Sequence, residues 1–237
     1  EQRALGLREV NKLVKTWDIN PTFGGPIKRD RVWFFATARH FYTENTVAGI
    51  FLNRNAGDAT KWTYDPGNEQ AIFDNVTKNA SARITWQASP RNKVSGWWDE
   101  QVTCQRCDGK GGVSFASPLT MGSLSPEADG GNDNPIRLAQ AIWTSPVNNR
   151  ILLEASFGLG TWAIFGGNEL PNNNRDLIPV IEAAGAVPGI EYRGQGRGLW
   201  ARNYGKMYTY GGSLSYIAGA HRFKVGGRQQ RTEAAFV

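Results

Sequence analysis

The segment from Val76 to Ser89 constrains this chain most. Ala80, Ala82, Ile84, Trp86 and Ala88 fall on one side of an extended strand, and Thr77, Asn79, Ser81, Arg83, Thr85 and Gln87 on the other. A strict period of two demands an antiparallel sheet with unlike surroundings on its two faces. In water one face packs on a core. In a transmembrane barrel the same alternation points Ile84 at lipid and Arg83 at the lumen.

The pattern recurs along the chain. Four hairpins are expected, at about 16–44, 76–104, 136–165 and 205–235, with short reversals at Lys28-Arg-Asp-Arg31, Ser89-Pro-Arg-Asn92, Ser145-Pro-Val-Asn-Asn149 and Ala218-Gly-Ala-His221. In the third hairpin Ile151, Leu153, Ala155, Phe157 and Leu159 oppose Arg150, Glu154, Ser156, Gly158 and Gly160. In the fourth, Tyr208, Tyr210, Leu214, Tyr216, Phe223, Val225 and Gly227 share a face against Arg222, Lys224, Arg228 and Gln230. Between the hairpins lie three long segments, 45–75, 104–135 and 166–204, which read as loops; the third is expected to hold a short helix near Leu177–Ala184. Most loops in compact soluble domains run to ~4–6 residues. Short turns at one end and long loops at the other are the pattern of outer-membrane barrels. Trp33, Trp86 and Trp143 each fall close to a short turn, where an aromatic girdle belongs.

Composition does not oppose this. Mean hydropathy is −0.45, and no apolar run approaches the ~18 residues of a spanning helix. A barrel strand needs no such run, because half its side chains are polar. The net charge of +6 is spread over turns and polar faces without a basic cluster, so a nucleic-acid partner is not expected.

The first hairpin carries a resemblance. Gly24-Gly25-Pro26-Ile27-Lys28-Arg29-Asp30-Arg31-Val32-Trp33-Phe34-Phe35 resembles a segment of TonB-dependent outer-membrane receptors, nearest to the Oar-like subgroup that carries a carboxypeptidase-regulatory-like domain. Its marked positions here are Gly24, Gly25, Pro26, Asp30, Trp33, Phe34 and Phe35. The resemblance implies an early barrel hairpin just after a plug domain, with residues 1–15 as linker or plug exit and 16–237 as partial barrel wall. It also implies import of a scarce ligand (siderophore, oligosaccharide or peptide) by binding and gating, with outer-membrane lipid, the plug and TonB as partners. No cofactor and no catalysis are implied. The chain departs from the family in having no TonB box, no plug and no closing C-terminal strand. With no initiator Met or signal at Glu1, a fragment is expected.

The remaining constellations are weak. Cys104-Gln-Arg-Cys107 reads as a small loop disulfide ahead of free thiols or a metal pair, since neither a second pair nor a βαβ setting accompanies it. Gly194-Gln-Gly-Arg-Gly198 lacks the ending of a phosphate loop. Asp99-Glu100 and Glu127, Asp129 and Asp133 lack a calcium-loop pattern and read as solvated acidic surface. Trp62, Tyr64, Tyr192 and Trp200 are candidate ligand-contacting aromatics, and packing of the loops accounts for them equally well. No hydrolase signature is present, so an enzyme is not expected.

The fold expected is therefore all-β: about eight antiparallel strands of a larger transmembrane barrel, with short periplasmic turns and long extracellular loops, in the outer membrane of a Gram-negative cell. Two alternatives remain. A complete eight-stranded barrel acting as adhesin or structural protein requires Thr16–Gly24 to pair with His221–Gln230. A soluble β-sandwich binding sugar through exposed aromatics is the other, and solubility without detergent would distinguish it from both barrels.

Overall fold

The computed structural model describes residues 10–106, 113–117, 120–129, 132–166, 176–184, 189–194 and 202–236. Among them the chain is all-β, its one helical turn being a 3-10 turn at Pro126–Ala128. The strands are β1 (Leu13–Ile19), β2 (Thr22–Lys28), β3 (Val32–Asn53), β4 (Pro66–Ser89), β5 (Asn92–Gln105), β6 (Val113–Ser117), β7 (Thr120–Leu124), β8 (Asn132–Pro146), β9 (Ile151–Gly166), β10 (Val180–Ile181), β11 (Glu191–Tyr192), β12 (Arg202–Ala218) and β13 (His221–Phe236).

Nine of them form one antiparallel sheet in the order β1-β3-β4-β5-β8-β9-β12-β13, with β2 also on β3. The four expected hairpins are present, and three strands are longer than expected. β3 and β4 run into the segment expected to be a loop at 45–75, leaving 54–65 between them. Cross-strand pairing from Thr43↔Asn75 to Thr46↔Ile72, resumed after a bulge at Phe51↔Gln70, carries polar residues that have little strand propensity of their own. The expected first strand at 16–26 is two pieces, because Asn20-Pro21 interrupts it and Pro21 has no N–H for the ladder. β1 begins at Leu13, inside the expected linker. The segment at 104–135 holds β6, β7 and the start of β8. The expected helix at 177–184 is absent; Val180 and Ile181 form β10, paired with Glu191 and Tyr192.

Register places side chains on two faces. Val32, Trp86, Val94, Trp143, Ala155, Gly212 and Gly227 are successive partners across seven strands. The face they share also holds Phe34, Ile84, Trp98, Ala139, Phe157, Tyr210, Leu214, Phe223 and Val225. Every apolar set read from sequence in the second, third and fourth hairpins falls on it. Trp33 does not. Its partner is Thr85, so it lies on the opposite face from Trp86 and Trp143, and the three do not form one girdle.

The row reaches the short-turn ends unequally. It coincides with the start of β3, lies two residues past Asn92 in β5, four past Ile151 in β9, and six past His221 in β13. The turns therefore step by one residue per strand. With a rise of ~3.3 Å and a strand spacing of ~4.8 Å, the line of turns is inclined about 35° to the hydrogen-bonding rows. If the turns mark one level, the strands tilt at the low end of the ~35–45° of barrels.

The apolar band follows the turns more closely than the rows. On this face the first polar side chain beyond the turn residues is Thr161 in β9, ten residues past its strand's start, and His40 in β3, Glu100 in β5 and Gln229 in β13, each eight past. That is ~26 Å along the strand and about 22 Å after the tilt, close to the ~25 Å apolar band of outer-membrane barrels. No Asp, Glu, Lys or Arg lies on this face below those limits in the seven strands from β3 to β13. Among the described residues nothing covers the band: Ile84 is 52% exposed and Val225 69%.

The buried core lies elsewhere. Val47, Ile50, Ala71, Ile190 and Tyr192 cluster at the long-loop end, with Tyr64, Phe73 and Val180 against them. There a four-stranded sheet, in the order β10-β11-β7-β6, caps β3. The large sheet does not close: among the described residues β13 pairs only with β12, and β1 and β2 only with β3.

Candidate functional site

The loop end gathers three of the four candidate aromatics. Trp62 leaves the loop between β3 and β4, Tyr64 follows it, and Tyr192 comes from β11, over a hundred residues later in the chain. The Tyr64 and Tyr192 rings lie 5.8 Å apart, and the Tyr192 hydroxyl donates to the Trp62 carbonyl at 2.8 Å. Tyr64 bridges to the neighbouring strand, donating to the Phe51 carbonyl at 2.8 Å and accepting from the Phe51 N–H at 3.1 Å. Tyr192 is buried, so its role is to pack the cap. Trp62 keeps half its surface open. Trp200 lies outside the described residues.

Arg193 holds this cap together. Its guanidinium lies 3.6 Å from the Trp62 ring centroid and donates to the carbonyls of Ala59 (2.7 Å), Lys61 (3.1 Å) and Ile178 (3.0 Å). One side chain thus ties the β3–β4 loop to the approach to β10. The backbone of Arg193 is left-handed, with φ 75°, and that turn aims the side chain back across Trp62. Nothing in the sequence marks Arg193 out.

The acidic residues of the second long segment correct an expectation. Glu127 and Asp129 are not solvated; both are buried, at 2% and 1% exposure. Glu127 Oε1 accepts from Asn53 Nδ2 at 2.6 Å and from the Arg193 N–H at 3.4 Å, and Asp129 pairs with Arg106. These carboxylates are consumed by the cap, and no cluster of three metal-ligating side chains occurs among the described residues. Cys104 is disulfide-bonded. Cys107, expected to pair with it, lies outside the described residues, as does most of Gly194–Gly198.

Two kinds of titratable group stand out in the cap. Burial raises Tyr64 and Tyr192 above the usual phenol value. Asp58 is held below the usual carboxylate range, chiefly by the Thr60 hydroxyl and then by the Thr60 N–H, which donate to it at 2.7 and 2.8 Å.

The face opposite the apolar band is polar and cross-linked. Arg39 donates to both oxygens of Asp18, at 2.9 and 2.7 Å, and Lys224 and Ser213 converge on Glu154 at 2.6 and 3.0 Å. Shallow grooves run along it past Arg83, Trp97, Gln140, Ser156 and Arg228. Phe35 and Trp97 interrupt its polarity, which alternation alone did not anticipate.

Compared with family models, curated proteins and solved structures, the chain matches none.

Proposed function

We propose that this chain is a stretch of the wall of an outer-membrane β-barrel. The observation that carries this reading is the charge-free apolar band, which runs eight to ten residues from the short turns on β3, β5, β9 and β13. A soluble sheet has no reason to leave such a face open, since contiguous apolar patches on soluble monomers rarely exceed a few hundred Å². A barrel wall does, because lipid covers it.

Within that class, the first hairpin favours a TonB-dependent receptor of the Oar-like type. The open edges at β1/β2 and β13 fit a wall continued by further strands, since unpaired backbone in lipid is costly. The ligand would be a scarce extracellular compound met at the long-loop end, where Trp62 is the described aromatic with most free surface. The eight-stranded alternative needs a closing pair that β2 and β13 do not make. The sandwich needs a covering sheet, and the four-stranded sheet packs at the loop end instead.

Sequencing the source DNA on both sides of the segment tests the receptor reading. A frame continuing upstream into a plug and downstream into about fourteen more strands is expected of a 22-stranded transporter. A start codon with a signal just before Glu1 and a stop just after Val237 would contradict it.

A further inference from the structure

Two large aromatics stand on the polar face, where alternation puts hydrophilic side chains. On the neighbouring strands β3, β4, β5 and β8, Phe35, Arg83, Trp97 and Gln140 are successive register partners. The two rings thus flank an arginine. Together with Ser81, Ser95 and Ile142 the four line a groove of about 350 Å³. Gly24 and Arg83 pair with Phe35 from opposite sides. The Phe35 Cδ2 lies 3.0 Å from where a Cβ on Gly24 would stand, so the ring leans over that glycine and away from Arg83.

Arg83 is exposed, and among the described residues it makes no ion pair and stacks on neither ring. Asp99, the acid diagonal to it across β4 and β5, accepts Asn79 Nδ2 at 2.8 Å. Glu154 and Asp18, on the same face, are held by Lys224 and Arg39. The guanidinium therefore stands open between two rings, with two hydroxyls and an amide around it. Its fork matches a carboxylate through paired hydrogen bonds, and an aromatic side chain offers a second ring its face or edge. The volume lies at the low end of small-ligand sites, room for one ring and its substituents.

We infer that Phe35, Arg83, Trp97 and Gln140 form a binding site for a small ring-bearing carboxylate, with Arg83 on the carboxylate and Trp97 against the ring. Its setting rests on the wall reading above, in which the groove faces the lumen on the path of an imported compound. A compact planar acid is then the class of cargo.

The test uses the full chain in vesicles of neutral phospholipid, with benzoate as probe and ligand-observed NMR as readout. Benzamide keeps the ring without the charge, and cyclohexanecarboxylate keeps the charge without the planar ring. Benzoate is expected to bind more tightly than either. Arg83→Gln should weaken benzoate about tenfold or more and erase its advantage over benzamide. Trp97→Leu should weaken it about three- to tenfold and erase its advantage over cyclohexanecarboxylate. Arg222→Gln, the same charge change on the same face at the far edge of the sheet, should leave all three affinities unchanged. Benzoate that binds no more tightly than benzamide, or an equal loss in Arg83→Gln and Arg222→Gln, overturns the site. Protection of tryptophan from an aqueous quencher reports the insertion of each variant separately. Insertion without selective binding overturns the site and spares the wall reading. Selective binding by a chain that does not insert keeps the site and contradicts the wall.

Discussion

Single residues explain the family-like segment physically. A Cβ added at Gly24 would stand 2.9 Å from the Phe34 carbonyl oxygen and 3.3 Å from the Phe35 Cα, whereas one at Gly25 would meet nothing within 4 Å. The first glycine is required by close approach of β2 to β3, and the second is not. Gly24→Ala is expected to push the edge strand away and cost about 1–3 kcal/mol, with Gly25→Ala near neutral, as read by denaturant titration. Asp30 ends the turn with φ 59°, a left-handed value that a β-branched residue resists. On the two faces of β4, Ile84→Arg is expected to destabilise the lipid-folded chain by ~2–4 kcal/mol, and Thr85→Arg by under ~1 kcal/mol. Equal costs would show that the faces are not distinguished by lipid. Period two made these face assignments legible without a structure. Arg193 was not legible, because its role depends on a left-handed backbone and on carbonyls from a loop more than a hundred residues away.

Among the elements, the hairpins were readable and their far ends were not. The turns at 29–31, 90–91 and 219–220 are announced by Gly, Pro, Asn and charged residues, and each closes a hairpin. Residues 66–69 resemble loop by composition, whereas Val47, Ile50, Phe51 and Leu52 carry an apolar signal that the loop expectation for 45–75 did not use; both stretches are strand and pair with each other. The cap is the element with a pH signature. Tyr64 is neutral in the fold, and burial raises its pKa, so its stabilising contribution is whole below the unfolded phenol value of ~10. It is lost as pH rises through the raised one. Alkaline titration followed by Trp62 fluorescence is expected to show the cap loosening above about pH 10 while the sheet's far-UV signal persists. Arg193→Ala removes three charge-assisted donors to the carbonyls of Ala59, Lys61 and Ile178 and is expected to cost about 3 kcal/mol locally. It should appear as faster amide exchange in β10 and β11, with β12 and β13 unchanged; a uniform change would deny the cap its independence.

For the molecule as a whole, the distribution of burial decides how it must be housed. Among the described residues its core is a small cluster beneath the cap, while seven strands carry an apolar face that none of those residues covers. Alternation made that face legible. The inclination of the turns was hidden, because it resides in register, and register is set by pairing across strands remote in sequence. Lipid on this face is the central claim, and nitroxide scanning of β4 in vesicles measures it most directly. Cys104 is engaged in a disulfide, so an introduced cysteine can be labelled at each position from Ala80 to Trp86. Labels at Ala80, Ala82, Ile84 and Trp86 should be relaxed by oxygen and shielded from a water-soluble nickel chelate, with those at Ser81, Arg83 and Thr85 showing the reverse. Chelate access to both sets, or no alternation between them, would mean that this face does not meet lipid.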